Sequence, residues 1–186
     1  MGGGTDLTGV AWGKPGWIVV GADGSLLSST DGSAWTRIES GLTHPLTSIT
    51  WDGNRYLALS AAGQSVAAST DGKSWKSAEF ADLPASGTAI AAVPGSQPVY
   101  VAAGAASKIA SSSNPLTAWQ PRSIPGSTKA SATSVIWSSV HRKFIATMEG
   151  CFVALGDATG ASWEAVPLGS PWDSQTIRAI GEAPSF

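Results

Sequence analysis

The 186-residue sequence predicts an all-β protein, a β-propeller built from four-stranded antiparallel blades. A Ser-x-Asp-Gly-x-x-Trp stretch, called the box below, occurs twice almost unchanged and twice in altered form. Its tryptophans lie 40, 44 and 44 residues apart, at Trp35, Trp75, Trp119 and Trp163. Aromatic residues that begin short β-like runs keep nearly the same period, at Trp17, Tyr56, Tyr100 and Phe144. A period in this range, carried by short strands, indicates a repeat architecture.

Each repeat contains four predicted strands in a fixed order. The first alternates large apolar with small or polar residues, as expected of a crowded inner strand, at 7–12, 46–51, 88–93 and 133–137. The second follows a Gly-, Pro- or Asn-containing turn and begins on an aromatic residue, at 17–20, 56–59, 100–103 and 144–147. The third runs into the box, at 26–29, 66–69, 109–112 and 152–155. The fourth begins at the box tryptophan, at 35–38, 75–78, 119–122 and 163–166. Pro121 has no N–H group to donate, so the fourth strand should be the outer edge.

We expect a single β-propeller domain over residues 1–186. Its repeats cover about residues 5–41, 42–84, 85–128 and 129–170, and a partial fifth repeat covers 171–186. Within the last, residues 175–180 resemble one more inner strand. That strand could cover an edge, exchange into a second chain, or belong to a longer propeller, and these alternatives stay open. A β-sandwich is the structural alternative, but it would not require this period.

Composition excludes several classes of function. Net charge is −2 and the 11 basic residues are scattered, so we expect no nucleic-acid partner. One cysteine, Cys151, allows neither an internal disulfide nor a cysteine-rich metal site. No apolar run is long enough to span a membrane. The first residues lack the pattern of a secretory signal, and the sequence does not predict a compartment.

The box is expected to be a turn before it is a functional site. Its Asp should accept hydrogen bonds from backbone N–H groups two or three residues on, and its Gly should adopt positive φ. Its Trp should fill space between sheets. The structural residues predicted on this basis are Ser29, Asp31, Gly32, Trp35, Ser69, Asp71, Gly72, Trp75, Trp119 and Trp163.

The box resembles the Asp-box, or BNR, repeat of sialidase-like β-propellers, and also the repeats of photosystem II assembly-factor-type propellers. The resemblance is strong in the first two boxes. It is altered in the third, where Asn114-Pro115 replaces Asp-Gly, and degenerate in the fourth. It implies a propeller fold with the boxes at the periphery, and it implies fold far more than activity.

No catalytic, cofactor or metal site is predicted. The resemblance to sialidases would imply an arginine triad and a tyrosine nucleophile, but Tyr56 and Tyr100 occupy the repeated aromatic position, where packing explains them better. The two histidines, His44 and His141, have no acidic partner at ligand spacing. Cys151 has no identifiable base and is interpreted as a packing residue.

The predicted function is a non-catalytic binding or assembly module that presents interblade loops to a protein partner. The loops are expected near 44–45, 83–86, 124–127 and 170–173, with His44, Trp172 and Asp173 as ligand-contacting candidates. A self-assembling propeller piece, including a homodimer that completes a larger ring, is one alternative. A carbohydrate-binding, lectin-like propeller with a glycan partner is another alternative. A sialidase-like glycoside hydrolase is a third and is less favoured.

Overall fold

A computed structural model describes residues 6–168, apart from 61, 63, 127–129 and 151. The described chain forms sixteen β-strands in four antiparallel sheets of four strands each, and no helix occurs in this part. Each sheet is a meander of strands consecutive in sequence, so each is one blade. The predicted fold class is confirmed for the four blades. The predicted partial fifth repeat, with Trp172 and Asp173, lies outside the described residues.

The blades follow one another along the chain. The first consists of β1 (Leu7–Gly13), β2 (Gly16–Gly21), β3 (Leu26–Ser29) and β4 (Thr36–Ile38). The second consists of β5 (Ser48–Trp51), β6 (Tyr56–Ser60), β7 (Ser65–Ser69) and β8 (Lys76–Glu79). The third consists of β9 (Gly87–Val93), β10 (Val99–Gly104), β11 (Ile109–Asn114) and β12 (Ala118–Arg122). The fourth consists of β13 (Ala132–Ser138), β14 (Lys143–Met148), β15 (Phe152–Gly156) and β16 (Trp163–Pro167).

Several observed strand ends differ from the prediction. β4 begins at Thr36 and β8 at Lys76, one residue after the box tryptophan, whereas β16 begins at Trp163 as predicted. β5 begins at Ser48 rather than at 46, since the N–H of Leu46 bonds to the carbonyl of Gly21 in the first blade. β12 is an outer edge strand, as the position of Pro121 predicted.

Alternate residues of each inner pair of strands face opposite neighbours, as the period of a strand requires. On β6, Tyr56 and Ala58 pack against Ile18 and Val20 of the first blade. The intervening Leu57 and Leu59 pack toward the third blade, in a cluster with its buried side chains. A further cluster joins the third blade to the fourth around Phe144. The core is therefore a series of interblade layers of large side chains that are removed from water.

A repeated hydrogen bond accompanies these layers. The hydroxyl of a threonine at the start of an inner strand donates to a backbone carbonyl of the next blade. The three bonds are Thr8 to Leu46 at 2.7 Å, Thr47 to Gly87 at 2.9 Å and Thr88 to Ala132 at 2.7 Å. Successive blades are thus joined by the same polar contact as well as by apolar packing.

The four described blades form an open series. Inner strands make contact from β1 to β5, from β5 to β9 and from β9 to β13, and no comparable contact joins the described strands β13 and β1. The face of the first blade that points away from the second is largely uncovered: Val10 is 56% exposed and Trp12 is 59% exposed. Trp12 lies opposite Trp17 in the β1–β2 ladder, as Trp51 lies opposite Tyr56 in the second blade.

Candidate functional site

The meander topology places the connections at two ends of the propeller. The hairpins between the first and second strands of each blade share one end with the boxes, and we call this the box end. The turns between the second and third strands share the opposite end with the interblade loops, and we call this the loop end. The two ends differ, because the box end is built from closed polar turns and the loop end includes the long interblade connections.

The first two boxes are closed by nearly identical hydrogen bonds. In the first, Oδ1 of Asp31 accepts from the N–H groups of Ser33 at 2.8 Å and Ala34 at 3.0 Å, and from the hydroxyl of Ser29 at 3.0 Å. In the second, Oδ1 of Asp71 accepts from the corresponding groups. These are the N–H of Lys73 at 2.8 Å, the N–H of Ser74 at 2.8 Å and the hydroxyl of Ser69 at 2.9 Å. The box glycines adopt positive φ, 78° at Gly32 and 72° at Gly72, where a side chain would be strained.

These hydrogen bonds explain the acidity of the box carboxyl groups. Bonds from the backbone N–H groups of Ser74 and Lys73, and then from the hydroxyl of Ser69, lower the pKa of Asp71 well below its ordinary value. The pKa of Asp31 is lowered for the same reason, with the N–H of Ser33 contributing most. Both carboxylates are engaged in closing their own turns, which is the arrangement of a structural residue.

The altered boxes keep the turn with other donors and acceptors. In the third box, Ser112 Oγ accepts from the N–H of Asn114 at 3.0 Å, and the Trp119 indole donates to the carbonyl of Pro115 at 3.0 Å. In the fourth box, Asp157 Oδ1 accepts from the hydroxyl of Thr159 at 2.6 Å, and the Trp163 indole donates to Gly160 at 3.0 Å. Burial raises the pKa of Asp157, but the hydrogen bonds that its carboxylate accepts from Thr159, Ala161 and Ser162 outweigh burial, and the net shift is downward.

The box tryptophans do not share one environment. Trp119 and Trp163 are buried, as expected of a side chain that fills space between sheets. Trp75 is half-buried and packs on Tyr56 with ring centroids 6.4 Å apart. Trp35 differs from the expectation, since it is 39% exposed. The reason is its place in the first blade, whose outer face has no described neighbour.

At the loop end, the turns between second and third strands form hydrogen bonds with the interblade loops beside them. The N–H of Ala105 donates to the carbonyl of Ser86 at 3.2 Å, and the N–H of Ser107 donates to Ala130 at 2.6 Å. The N–H of Glu149 donates to Ser131 at 2.9 Å. In the second blade the Gln64 side-chain amide donates to carbonyls of Ala81 and Leu83. Each of these turns therefore fixes an adjoining interblade loop, and together they form a stiff rim.

Two small grooves open beneath this rim at equivalent positions. One, of about 170 Å³, lies between the loop that carries His44 and the outer strands β7 and β8, and includes Glu79 in its wall. The other, of about 320 Å³, lies between the loop at 81–85 and the third blade, with Lys108 and Pro121 in its wall. His44 is half-buried in the first groove and Leu83 is buried beside the second, so these loops present fixed surfaces.

Several residues considered in the sequence do not come together. His44 lies at the loop end, whereas the exposed His141 lies in the β13–β14 hairpin at the box end. Arg37 contacts Glu39 at 3.8 Å, and Arg122 donates to the hydroxyl of Ser111 at 2.9 Å.

In the described ranges no three His, Cys, Asp or Glu side chains are placed to hold a metal ion. Cys151 and the remaining candidates, Trp172 and Asp173, fall outside those ranges. No helix able to cross a membrane occurs in the part of the chain described.

One buried polar cluster was not foreseen. Asp52 is only 1% exposed and lies in the β5–β6 hairpin. Its Oδ1 accepts from the N–H groups of Asn54 at 2.8 Å and Arg55 at 2.7 Å. Its Oδ2 accepts from Arg55 Nε at 3.0 Å and from the hydroxyl of Tyr100 in the third blade at 2.6 Å. The sequence offered only a turn at Asp52-Gly53-Asn54, which predicts local bonds and not a bond to another blade.

Burial determines the chemistry of the two tyrosines. Desolvation, assisted by the neighbouring Asp52 carboxylate, raises the pKa of Tyr100 far above its ordinary value. Desolvation also raises the pKa of Tyr56, whose hydroxyl donates to the carbonyl of Gly16. Both side chains are fully buried, so neither is placed for attack on a substrate in solvent.

The inner strands line an open groove along the propeller axis. It has a volume of about 460 Å³ and is lined by β5, β9 and β13, with Trp51 and Trp137 near its wall and Ser48, Thr50 and Ser134 as polar groups. Among the residues that the structure describes, no charged side chain lines it. Its described walls therefore offer small hydroxyl groups and apolar side chains, and not the paired carboxylates that hydrolytic sites on sugars use.

Comparison with known proteins identifies the fold. No protein-family model and no curated protein sequence matches the chain. Solved structures that match include a structure titled "YCF48 bound to D1 peptide", 18% identical with a TM-score of 0.58, and virginiamycin B lyase from Staphylococcus aureus, 10% identical with a TM-score of 0.73. A nidogen/laminin complex matches at 11% identity with a TM-score of 0.70.

These neighbours are β-propeller proteins, and the chain has the same fold. The three matches cover 84%, 90% and 88% of this chain. They cover only 51%, 57% and 65% of the matched chains. The chain thus spans between half and two thirds of the length of the propellers it resembles.

Proposed function

We propose that this chain is a non-catalytic β-propeller module that binds a protein partner at its loop end. The observation that carries the proposal is the rim of hydrogen bonds that fix the interblade loops to neighbouring turns, such as Ser107 N–H to the Ala130 carbonyl at 2.6 Å. Loops held in this way lose little conformational freedom when a partner binds, which lowers the cost of association. The two equivalent grooves beneath the rim supply concave surfaces for partner side chains.

Two neighbours support a protein as the ligand class, because their titles name a bound peptide and a laminin complex. Other propeller neighbours are named as enzymes, so the fold alone does not decide between binding and catalysis. What favours binding is the state of the titratable residues: the Asp31 and Asp71 carboxylates close turns and both tyrosines are buried. The likeness of the boxes to Asp-box repeats is part of this proposal and concerns their structural role.

The test is direct binding with loop-end and box-end variants. Proteins captured from a lysate would be purified and titrated against wild type, His44→Ala and Lys73→Ala. A genuine loop-end partner should lose affinity about tenfold or more with His44→Ala and keep it with the box-end control. A fluorogenic sialoside assay and a glycan array complete the test. Hydrolysis would overturn the non-catalytic assignment, and selective glycan binding with no protein interactor would favour the lectin-like alternative.

A second proposal concerns association of this chain with itself. It rests on the uncovered face of the first blade, where Val10 is 56% exposed and Trp12 59% exposed. Contiguous exposed apolar surface of this kind marks an interaction site. A second copy seated on this face would extend the series of blades toward a larger ring, and the absolute mass in solution tests it as described in the Discussion.

A further inference from the structure

A cleft at the box end carries two cations on one wall. It lies between the second and third blades and has a volume of about 390 Å³. It is lined by Arg55, Lys76, Leu116 and Trp75 together with Ala68 and the hydroxyl-bearing residues Ser69, Thr70 and Ser74. Lys76 is exposed at the start of β8, and Arg55 precedes β6. Leu116 comes from the third box and supplies the apolar part of the opposite wall.

The internal repeats show what these two positions do elsewhere. Arg55 precedes the second-strand aromatic Tyr56, and Lys76 follows the box tryptophan Trp75. The residues at the same two positions of the fourth blade are Lys143 and Glu164, whose side chains pair at 3.7 Å. Side chains at these positions are therefore close enough to form an ion pair.

In the second blade both positions carry positive charge. Asp52 balances the charge of Arg55 at 3.0 Å, so these three side chains together leave one net positive charge at the cleft, which favours an anionic ligand. The first blade has Gly16 and Thr36 at these positions, and the third has Val99 and Gln120, so among the four described blades this doubly cationic pair occurs once.

The chain's own carboxylates do not fill the cleft. Asp52 pairs with Arg55 Nε at 3.0 Å, but it is 1% exposed and already accepts the Tyr100 hydroxyl on the same oxygen. The Asp71 carboxylate is held by the amides of its own box. Within the described residues Lys76 has no ion-pair partner.

We propose that this cleft, defined by Arg55, Lys76 and Leu116, binds an extended acidic segment of a protein partner. A carboxylate of the segment lies between the two cations, and an adjacent apolar side chain packs on Leu116 and Ala68. An acidic side chain next to an apolar one matches the two cations and the aliphatic wall formed by Leu116 and Ala68. A sugar could pack on Trp75, but it has no aliphatic side chain to place against Leu116. This site lies at the opposite end from the proposed loop-end surface, so each can fail without the other.

The proposal is tested with a fluorescein-labelled octapeptide that has two adjacent glutamates flanked by leucines. Fluorescence anisotropy would measure its binding to the full chain. A matched peptide with glutamines in place of the glutamates should bind about tenfold more weakly, because it lacks the charge-assisted hydrogen bonds. Equal binding of the two peptides would overturn the proposal.

Matched variants localise the effect. Lys76→Glu gives the second blade the charge pattern of the fourth, places a carboxylate next to Arg55, and should reduce binding at least tenfold. Lys73→Glu makes the same charge change on the exposed box loop outside the cleft and should change binding less than threefold. Equal losses of peptide affinity in the two variants would indicate a non-specific charge effect and would overturn the proposed site. Circular dichroism and thermal melts would verify that both variants fold.

A third arm separates the partner classes. An oligogalacturonate of similar charge carries carboxylates without apolar side chains. If it binds more tightly than the glutamate peptide, and does so through Lys76, the occupant is an acidic glycan and the peptide proposal is wrong. Leu116→Ser should weaken the peptide at least threefold and leave the oligogalacturonate unchanged, since only the peptide uses the apolar wall.

Discussion

The hydroxyl of Tyr100, in the third blade, donates a 2.6 Å hydrogen bond to the buried Oδ2 of Asp52 in the second. The same carboxylate closes its own hairpin through the N–H groups of Asn54 and Arg55. One side chain therefore fixes a turn and also joins two blades. A buried carboxylate needs this number of donors, since an unsatisfied one would be strongly destabilising.

Tyr100→Phe should destabilise the chain by about 1–3 kcal/mol, because it removes a donor from a buried charged acceptor. The matched control is Tyr56→Phe, whose hydroxyl donates to the neutral carbonyl of Gly16 and should cost about 0.5–1.5 kcal/mol. Urea unfolding followed by tryptophan fluorescence measures both. A larger loss in the control would contradict the special role of Asp52.

The two tyrosines should resist titration in the folded chain. Burial raises the pKa of both in the folded state. The stability linked to them is fully present below the unfolded pKa of about 10, and it is lost as pH rises above that value. Tyrosinate absorbance should therefore appear together with loss of the far-ultraviolet dichroism signal. Tyrosinate formation in a chain that keeps its dichroism would refute the prediction.

The box carboxylates should make stability depend on pH in acid. Hydrogen bonds lower the folded-state pKa of Asp71, so its contribution is present above the unfolded pKa of about 3.9 and is lost as pH falls below it. Thermal melts from pH 7 to pH 2 should show a smaller acid-induced decrease for Asp71→Asn than for wild type. Asp82→Asn, on an interblade loop, is the control and should match wild type.

The rim at the loop end should be sensitive to Gly104. A Cβ there would lie 2.5 Å from the carbonyl oxygen of Ser86 and 2.6 Å from Pro84 Cβ, so Gly104→Ala must displace the interblade loop. We expect a loss of about 1–3 kcal/mol. Gly41→Ala is the matched control: its φ is +72° but no atom lies within 4 Å, so the cost should be about 1 kcal/mol from the backbone alone. Chemical denaturation distinguishes the two, and equal costs would mean that the rim is not tightly packed.

Association through the first blade is tested by light scattering. Wild type should show a mass above 18.8 kDa that rises with concentration, and Trp12→Lys should return it to 18.8 kDa. The control, Val140→Lys, alters a residue that is 64% exposed in the β13–β14 hairpin and should leave the mass unchanged. A wild-type mass of 18.8 kDa at every concentration would exclude this mode of association.

The repeat period predicted much of the fold. The box tryptophans and the second-strand aromatics keep two parallel registers, and the alternation within each run distinguishes strands from helices. The closed turn at Asp31 was also predictable, because its bonds join residues two and three positions apart. Hydrogen bonds between residues this close in sequence can be predicted from a short motif.

Contacts between blades were less accessible to sequence reasoning. Asp52 and Tyr100 are 48 residues apart, and nothing in an Asp-Gly-Asn turn specifies that distant hydroxyl. The exposure of Trp35 depends on what lies beside the first blade and not on the box, which is nearly the same as the one at Trp75. The proximity of positions 55 and 76 could be inferred only from the structure, where Lys143 and Glu164 pair at the same positions of the fourth blade.

The threonine bonds from Thr8, Thr47 and Thr88 to the next blade have a consequence for how such proteins change over time. Each bond joins a hydroxyl to a main-chain carbonyl, and every repeat has a main-chain carbonyl whatever its side chains are. A duplicated or deleted repeat therefore meets its new neighbour with the joint already in place, and side-chain divergence elsewhere leaves that joint intact. A repeat could in this way be added or removed without redesign of the contact between blades, provided that it keeps the threonine.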